Sequence, residues 1–219
     1  NYKKSVEYIC EYDILKIDKA RFLENYRNWR MIMGKYFLRE CVSFTPGINP
    51  SRVQVSNSEF YDQNDFVNDY NFEETEKASV GTEDFLRVKE GDVVISVVMR
   101  QAAIVSKGND GKILTLNFIK VDFNNDVLDK KYFLYLFNSY SVVKRQKERM
   151  LQGTGAVLKI PVKSLRDIEI PVISMLEQMK IGEAYKKAVC LNNYLEKYKC
   201  LIRKCVNSIL EESVKGRRK

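Results

Sequence analysis

The C-terminal part of the chain constrains the fold more than any other. Residues 174–215 contain no proline and one glycine, Gly182. Apolar or small side chains recur there at alternating steps of three and four residues: Ile181, Ala184, Ala188, Leu191, Leu195, Tyr198, Ile202, Cys205 and Ile209. This heptad spacing predicts one long helix whose seam packs against a partner helix.

The partner of that helix must come from outside its own domain. About 42 residues at roughly 1.5 Å each span about 60 Å, which is long for a helix lying on a single domain. The rest of the chain offers no second helix of that length. We therefore expect residues 174–219, with their basic tail, to form a coiled-coil spacer that pairs with a second copy of the chain or with another protein.

Composition favours a folded cytoplasmic protein. Hydrophobic residues make up 45% of the chain, enough for a buried core, and no apolar run approaches the roughly 20 residues of a membrane span. The N-terminus lacks the pattern of a signal peptide. Five cysteines, an odd number with no CxxC pair, argue against disulfides and a zinc site, so we expect reduced thiols, no metal and no membrane partner.

Catalytic motifs are missing from the sequence. The chain has no histidine, which excludes a Ser-His-Asp or Cys-His arrangement and removes the commonest general base. It also lacks the GxxxxGK[ST] phosphate loop, the GxGxxG turn and the Asn/Asp-Pro-Pro-aromatic turn of amino-methyltransferases. We expect a non-catalytic chain with no cofactor.

Charge is unevenly distributed along the chain. Lysine and arginine total 37 against 29 acids, a formal charge of +8. Nine acids and one base fall between Glu59 and Asp84, which leaves 36 bases and 20 acids elsewhere. A chain that segregates charge in this way can present a basic face to a polyanion, although a solubilising surface would look the same.

The periodicity predicts an α+β fold with a mixed or antiparallel β core and flanking helices. In an N-terminal extension, residues 1–33, we expect a short strand at 12–17 and a helix capped by Asp18. The domain proper spans residues 34–173, in which 59–84 reads as a polar surface excursion. Predicted strands cover 53–55, 93–99, 102–106 and 113–123, with a hairpin-type turn at 108–111. A helix from Asp129 to about Leu151 follows, then a loop, a strand, a short turn and a strand.

Six segments in this order resemble the specificity subunit of type I restriction-modification systems, over roughly residues 35–215. They are VKEGDVVIS, AAIVSKGNDGK, LTLNFIKV, DKKYFLYLFNS, QGTGAVLKIPVKSLRDIEIPV and LEQMKIGEAYKKA. The resemblance implies a target-recognition domain that reads one half of a split DNA sequence. It also implies a spacer helix that docks methyltransferase subunits and, in restricting systems, a restriction subunit. Family members normally carry two such halves; this sequence has one, so it resembles a half-subunit that forms a homodimer on double-stranded DNA.

Two sets of residues are candidates for DNA contact in such a domain. Base edges are read by Arg, Asn, Gln and Ser on loops, and phosphates are bound by basic side chains and backbone N–H groups. The candidates for base reading are Ser51, Arg52, Arg100, Gln101 and Asn117. The candidates for phosphate contact are Lys107, Lys112, Lys144, Arg145, Lys147 and the Gly153-Thr154 turn.

The resemblance leaves alternatives open. The family has a glycine-containing loop where this chain has Val97–Gln101, so base contacts there need not follow the family. A stand-alone dimeric DNA-binding or regulatory protein with the same domain would carry the same motifs. So would a fragment of a larger restriction-modification enzyme.

Overall fold

A computed structural model describes residues 34–52, 59–73, 86–124, 127–153 and 160–215. The strand and helix predicted within 1–33 and the strand predicted at 53–55 lie outside these ranges. Among the described residues, no helix is long and apolar enough to cross a membrane. The strands are β1 Gly34–Phe37, β2 Val42–Pro46, β3 Phe60–Tyr61, β4 Val93–Ser96, β5 Gln101–Ile104, β6 Ile113–Leu114, β7 Phe118–Phe123 and β8 Glu169–Val172. The α-helices are α1 Leu38–Cys41, α2 Gln63–Tyr70, α3 Lys130–Asn138, α4 Ser141–Arg149, α5 Val162–Leu165 and α6 Met175–Lys215.

The main sheet is antiparallel and has the strand order β2-β7-β4-β5. Two smaller pairs accompany it: β1 with β8, and β3 with β6, the latter parallel. The α+β architecture with a mixed or antiparallel β core and a long C-terminal helix is therefore confirmed.

The core lies on both faces of the main sheet. All four residues of β4 are buried, as the near-continuous apolar run in the sequence requires of a strand covered on both sides. On one face, Tyr61 and Phe66 pack with Phe118; the ring centroids of Tyr61 and Phe118 are 5.0 Å apart. On the other face, the ring of Phe133 from α3 meets that of Phe123 from β7 at 5.6 Å.

Two predicted elements are shorter than expected because the chain turns within them. The predicted strand 93–99 ends at Ser96, where a turn through residues 97–100 begins, and β5 starts at Gln101. The predicted strand 113–123 is two strands, with a turn at Leu116 and Asn117 between them. The predicted hairpin turn at 108–111 is instead a 3-10 turn, Lys107–Asn109, and the strands on its two sides do not pair with each other.

The predicted helix from Asp129 to about Leu151 is two helices, α3 and α4, broken at Ser139 and Tyr140. Its predicted N-cap is present: the Asp129 side chain accepts a hydrogen bond from the Tyr132 backbone N–H at 2.8 Å. In the segment before α6, β8 is the predicted second strand, and the predicted short turn is the helical turn α5.

The described part of the acidic stretch, 59–73, is not a surface excursion. It contains β3 and α2, and Tyr61, Phe66 and Asp69 in it are fully buried. The Asp69 carboxylate accepts hydrogen bonds from the Tyr61 hydroxyl at 2.7 Å and from the Ser106 N–H and Asn109 amide at 3.0 Å. Burial raises the pKa of Asp69, while these hydrogen bonds oppose that rise. The carboxylate therefore ties α2 to the loop after β5.

The first half of α6 docks on the domain through a polar stripe. The buried Gln178 amide accepts from the Asp129 N–H at 2.9 Å and donates to the carbonyls of Val127 and Ile173 at 2.8 Å. Gly182 allows close approach, because a Cβ there would lie 2.8 Å from the Tyr132 nitrogen.

Further along the same helix, the Tyr185 hydroxyl accepts from the Asn138 amide at 3.1 Å, and Asn193 donates to Glu73 at 2.8 Å. The stripe Gln178, Gly182, Tyr185 and Asn193 thus fixes α6 to the domain.

Candidate nucleic-acid interface

Three chain connections meet at one end of the main sheet. They are the segment Gly47–Arg52 after β2, the turn 97–100 between β4 and β5, and the turn 115–117 between β6 and β7. Backbone hydrogen bonds join them: the Val97 N–H donates to the Asn117 carbonyl at 2.9 Å, and the Leu116 N–H to the Ile48 carbonyl at 3.0 Å. We call these three connections the loop edge.

The turn 97–100 of the loop edge is held by hydrogen bonds to Ser96. The Ser96 hydroxyl accepts from the Met99 N–H at 3.1 Å, and the Ser96 carbonyl accepts from the Arg100 N–H at 2.8 Å. Arg100 has a left-handed φ of 57°, which costs a non-glycine residue roughly 1–2 kcal/mol. A strained backbone at an exposed turn, held by specific hydrogen bonds, is the arrangement expected where a side chain must be presented in a fixed direction.

Four of the five residues predicted to read bases lie in the loop edge, and the fifth, Gln101, directly follows its turn 97–100 as the first residue of β5. Ser51 and Arg52 lie in the 3-10 turn Pro50–Arg52 of the first connection, and the side chains of Ser51, Arg100 and Asn117 are exposed. Gln101 is half-buried, and its amide donates to the Tyr70 hydroxyl at 3.5 Å. Their role in base contact stays a prediction, but their shared location was not visible in the sequence.

The predicted position of one of these residues is wrong. Asn117 falls inside the predicted strand 113–123. It lies instead in the turn before β7 with its side chain in solvent. Its availability for a ligand thus comes from the turn and not from a strand face.

The residues predicted to contact phosphates are scattered. Lys107 is exposed but lies beyond the opposite end of β5, away from the loop edge. The Lys112 ammonium is 2.7 Å from an Asp65 carboxylate oxygen and 3.7 Å from Glu59, so its charge is already neutralised. Lys144 and Arg145 are exposed on α4, and Gly153 is exposed with a φ of 136°. Thr154 lies outside the described residues.

Lys147 is buried, which argues against its predicted phosphate contact. Only 7% of the residue is exposed. Its ammonium donates to the backbone carbonyls of Arg100 at 2.9 Å and Phe137 at 2.5 Å, and lies 4.1 Å from the centroid of the Phe137 ring. Burial, together with the nearby charges of Lys144 and Arg100, lowers the pKa of Lys147 to about 8.

Exposed apolar residues at the loop edge were missed by the sequence reasoning. Val98 and Leu116 are each 53% exposed, one in each of two adjoining turns. Both had been assigned to strands, so nothing in the pattern suggested that they reach solvent. Aliphatic side chains in such positions can contact the methyl group of thymine.

The predicted seam of α6 faces solvent for most of its length. Ile181 is half-buried beside the domain, whereas Leu191, Leu195, Tyr198, Ile202 and Ile209 are each between 55% and 68% exposed. Ala184, Ala188 and Cys205 are exposed as well. Tyr194 and Leu201, next to the seam, are 68% and 58% exposed and widen the apolar face.

No metal centre is evident in the part of the chain that the structure describes. No group of three or more cysteine, aspartate or glutamate side chains there is arranged to hold an ion. Several acids among the described residues stabilise the fold: Asp62 caps α2, Asp65 pairs with Lys112, and Glu73 pairs with Lys197 at 2.9 Å.

No protein-family model and no curated protein sequence matches the chain. Solved structures, in contrast, do match the chain. One, described as the structural basis of complex assembly and conformational transition of the type I R-M system, aligns over 85% of this chain with a TM-score of 0.58 and 14% identity. The HsdS subunit from Thermoanaerobacter tengcongensis aligns over 76% with a TM-score of 0.50 and 17% identity. The S subunit of a type I restriction-modification system from M. genitalium aligns over 78% with a TM-score of 0.46 and 17% identity.

The first two likenesses show that the chain has the fold of these specificity-subunit structures. The aligned region is 48%, 39% and 42% of the three neighbours' own lengths, so the chain spans less than half of each.

Proposed function

We propose that the chain is a non-catalytic DNA-recognition half-subunit of a type I restriction-modification methyltransferase complex. Its domain reads one half of a bipartite DNA target, and α6 docks the methyltransferase subunits. One observation carries the proposal: four of the five residues predicted to read bases lie in the loop edge of a domain with the specificity-subunit fold, and the fifth adjoins it. Side chains on adjacent loops at one edge can enter a groove together, as base readout requires.

The electrostatics at the loop edge support a polyanion as the ligand. Arg100 lies on the edge itself, and Lys144 is close enough that its charge, like that of Arg100, acts on Lys147. Lys144, Arg145 and Arg149 are exposed on α4. Asp65 and Asp69 are engaged in contacts of α2. Glu148 on α4 is exposed, and its charge partly offsets those of Lys144 and Arg100 at Lys147.

We further propose that two copies pair through the exposed seam of α6. Solvent-exposed leucine, isoleucine and tyrosine at heptad spacing carry a large cost in water unless they are covered. A second copy of the same helix offers the matching seam. A two-fold pair would hold two recognition domains at a set separation and give a palindromic split target, because protein symmetry is mirrored in the site.

Selection from randomised duplexes tests the recognition role. The purified chain is mixed with a pool of duplexes containing 30 random base pairs, and the bound DNA is sequenced after several rounds. The expected result is two short motifs in inverted repeat, separated by a spacer of fixed length. Enrichment without any motif would overturn the proposal of sequence-specific recognition.

Methylation mapping tests the place of the chain in a methyltransferase complex. The chain is co-expressed with a type I methyltransferase subunit from the same genome, and modified bases are mapped genome-wide. Methylation at the selected palindromic motif is expected. A non-palindromic motif would contradict the symmetric homodimer. Methylation that does not depend on the chain would favour a stand-alone DNA-binding protein.

A further inference from the structure

Lys147 joins the end of α3 to the end of the loop-edge turn, close to the two hydrogen bonds of 2.8 Å that link the Asn138 amide to the Ala102 backbone. Its ammonium lies between the carbonyl of Phe137, in the last turn of α3, and the carbonyl of Arg100, at the end of the loop-edge turn. The ring of Phe137 covers the same ammonium at 4.1 Å. Two of its three N–H donors are thus used on backbone oxygens, and the group is shielded from solvent.

The hydrogen bond from Lys147 fixes the second of the two backbone polar groups of Arg100. The Arg100 N–H is bound by the Ser96 carbonyl and the Arg100 carbonyl by Lys147, so both backbone polar groups are fixed at a residue with left-handed φ. The Arg100 side chain itself is exposed. A locked backbone under a free side chain limits the directions in which that side chain can point, which lowers the cost of ordering it on a ligand.

We propose that Lys147 is a positioning residue for base reading: through the Arg100 carbonyl it sets the direction from which the Arg100 side chain approaches DNA. The inference rests on the DNA-recognition role proposed above. It replaces a direct phosphate contact for Lys147. A positioning role predicts a loss of sequence discrimination, whereas a phosphate contact predicts a change in salt dependence.

Two substitutions in α4 make a matched pair. Lys147→Met removes the ammonium and keeps an unbranched apolar side chain. The control is the adjacent Gln146→Met, because Gln146 also binds backbone of another element, donating to the Glu169 carbonyl and accepting from the Glu169 N–H, both at 2.8 Å. Both variants lose hydrogen bonds between α4 and neighbouring backbone, but only Lys147 contacts the turn.

The binding readout compares the selected duplex with a shuffled duplex of the same composition. Lys147→Met is expected to lower the ratio of the two affinities about tenfold or more, within the range of one lost base contact. The slope of log Kd against log salt should stay within about 0.5 of the wild-type slope. Gln146→Met should keep the affinity ratio within about twofold. An unchanged ratio with a slope reduced by about 0.9 would show a phosphate contact and overturn the proposal.

A second readout needs no DNA. Trypsin can cleave after Arg100 only when the turn opens, so the rate of cleavage at this bond measures how firmly the turn is held. We expect cleavage about tenfold faster in Lys147→Met than in wild type or Gln146→Met. Equal cleavage rates in Lys147→Met and wild type would show that Lys147 does not hold the turn and only caps the C-terminal end of α3. If wild type shows no sequence preference while this difference persists, the proposed function fails and the hold on the turn stands.

Lys147→Arg covers the case in which Lys147→Met does not fold. It keeps the charge and several N–H donors in the same place, over the same ring. The expected result is a wild-type trypsin rate after Arg100 and an affinity ratio within about threefold of wild type. A folded Lys147→Arg protein with the wild-type cleavage rate but a tenfold lower ratio would show that the hold on the turn does not govern base reading.

Discussion

The two halves of α6 are equally regular in the sequence and very different in the molecule. Up to Lys197 the helix is bound to the domain through Gln178, Gly182, Asn193 and an ion pair with Glu73. From Tyr198 to Lys215 every residue is exposed. The docked half is held by polar contacts that fix its position on the domain. The projecting half carries apolar seam residues whose side chains are exposed to solvent. A helix can therefore be bound to its domain through one stripe of residues and still expose a second stripe for binding a partner.

The largest expected effect concerns the exposed seam of α6, which runs from the docked half into the projecting half. Replacing Leu195 and Ile202 together by Asp should weaken self-association at least about 1000-fold, because four seam side chains per dimer lose burial worth roughly 1.5–3 kcal/mol each. Sedimentation equilibrium of the wild type and the variant measures this change. The unfolding midpoint of the domain should hardly move at a concentration where both are monomeric.

The control for this double substitution is Asn192→Asp with Asn207→Asp, which adds two charges to the same stretch of α6 outside the seam. It should associate like the wild type. A wild-type chain that is monomeric at tens of micromolar would contradict the homodimer. Equal weakening in both double variants would show that charge, and not the seam, governs association.

The next effect concerns the docked half. On a free helix, Gly→Ala stabilises by about 1 kcal/mol. At Gly182 the added Cβ would lie 2.7 Å from the Lys131 Cβ and 2.8 Å from the Tyr132 nitrogen. We expect Gly182→Ala to lower the free energy of unfolding by about 1–3 kcal/mol, as overpacking does. Urea denaturation at fixed protein concentration measures it.

Ser208→Ala, in the projecting half, is expected to change the free energy of unfolding in the opposite direction. It also raises helix propensity but meets no other element, so it should stabilise slightly, by a few tenths of a kcal/mol. If Gly182→Ala stabilised the chain as Ser208→Ala does, the close packing of α6 on α3 would be wrong.

The smallest predicted effect concerns the ion pair between Glu73 and Lys197, at the boundary between the two halves of α6. Hydrogen bonds from Lys197 and Asn193 hold the pKa of Glu73 below its ordinary value. The folded-state pKa is lower than the unfolded one, so this stabilisation is present above about pH 4.5 and is lost as the pH falls through the folded value. The Lys197 side chain is 53% exposed, so solvent screening keeps the effect below about 1 kcal/mol.

The variant that measures this contribution is Glu73→Gln. Wild type should be more stable than Glu73→Gln at pH 6, and the difference should disappear once the pH has fallen below the folded-state pKa of Glu73. Glu211→Gln, in the projecting half, is the reference for removing one carboxylate. A difference that grows on acidification would reverse the sign and exclude the ion pair as its cause.

Sequence patterns predicted the periodic elements well and their interruptions poorly. The heptad run identified α6 nearly to the residue, and the apolar run at Val93 identified β4. The break between α3 and α4 at Ser139 and Tyr140 was missed, since neither residue excludes a helix. The turn at Leu116 and Asn117 was missed because alternation continues through it, although backbone hydrogen bonds to Ile48 and Val97 stabilise the turn there.

The candidate interface shows the same division. The sequence identified exposed polar residues such as Arg100 and Asn117 from residue type and motif order. It could not show that their loops share one edge, because strand order decides that. It assigned Lys147 to phosphate because a basic run at a helix end looks solvated; the interior oxygens of Arg100 and Phe137 belong to other segments.

By itself, the sequence determined the fold class, the long helix and the seam along it, because periodicity and composition are local properties that survive any arrangement of the elements. Only the tertiary structure decided which faces are covered. It placed the predicted base readers at one edge, buried Lys147 beneath one of them, and docked α6 through Gln178 and Gly182 while leaving its seam open. These outcomes depend on contacts between residues far apart in the chain, and burial gives a lysine or a glutamine a role that its residue type alone does not show.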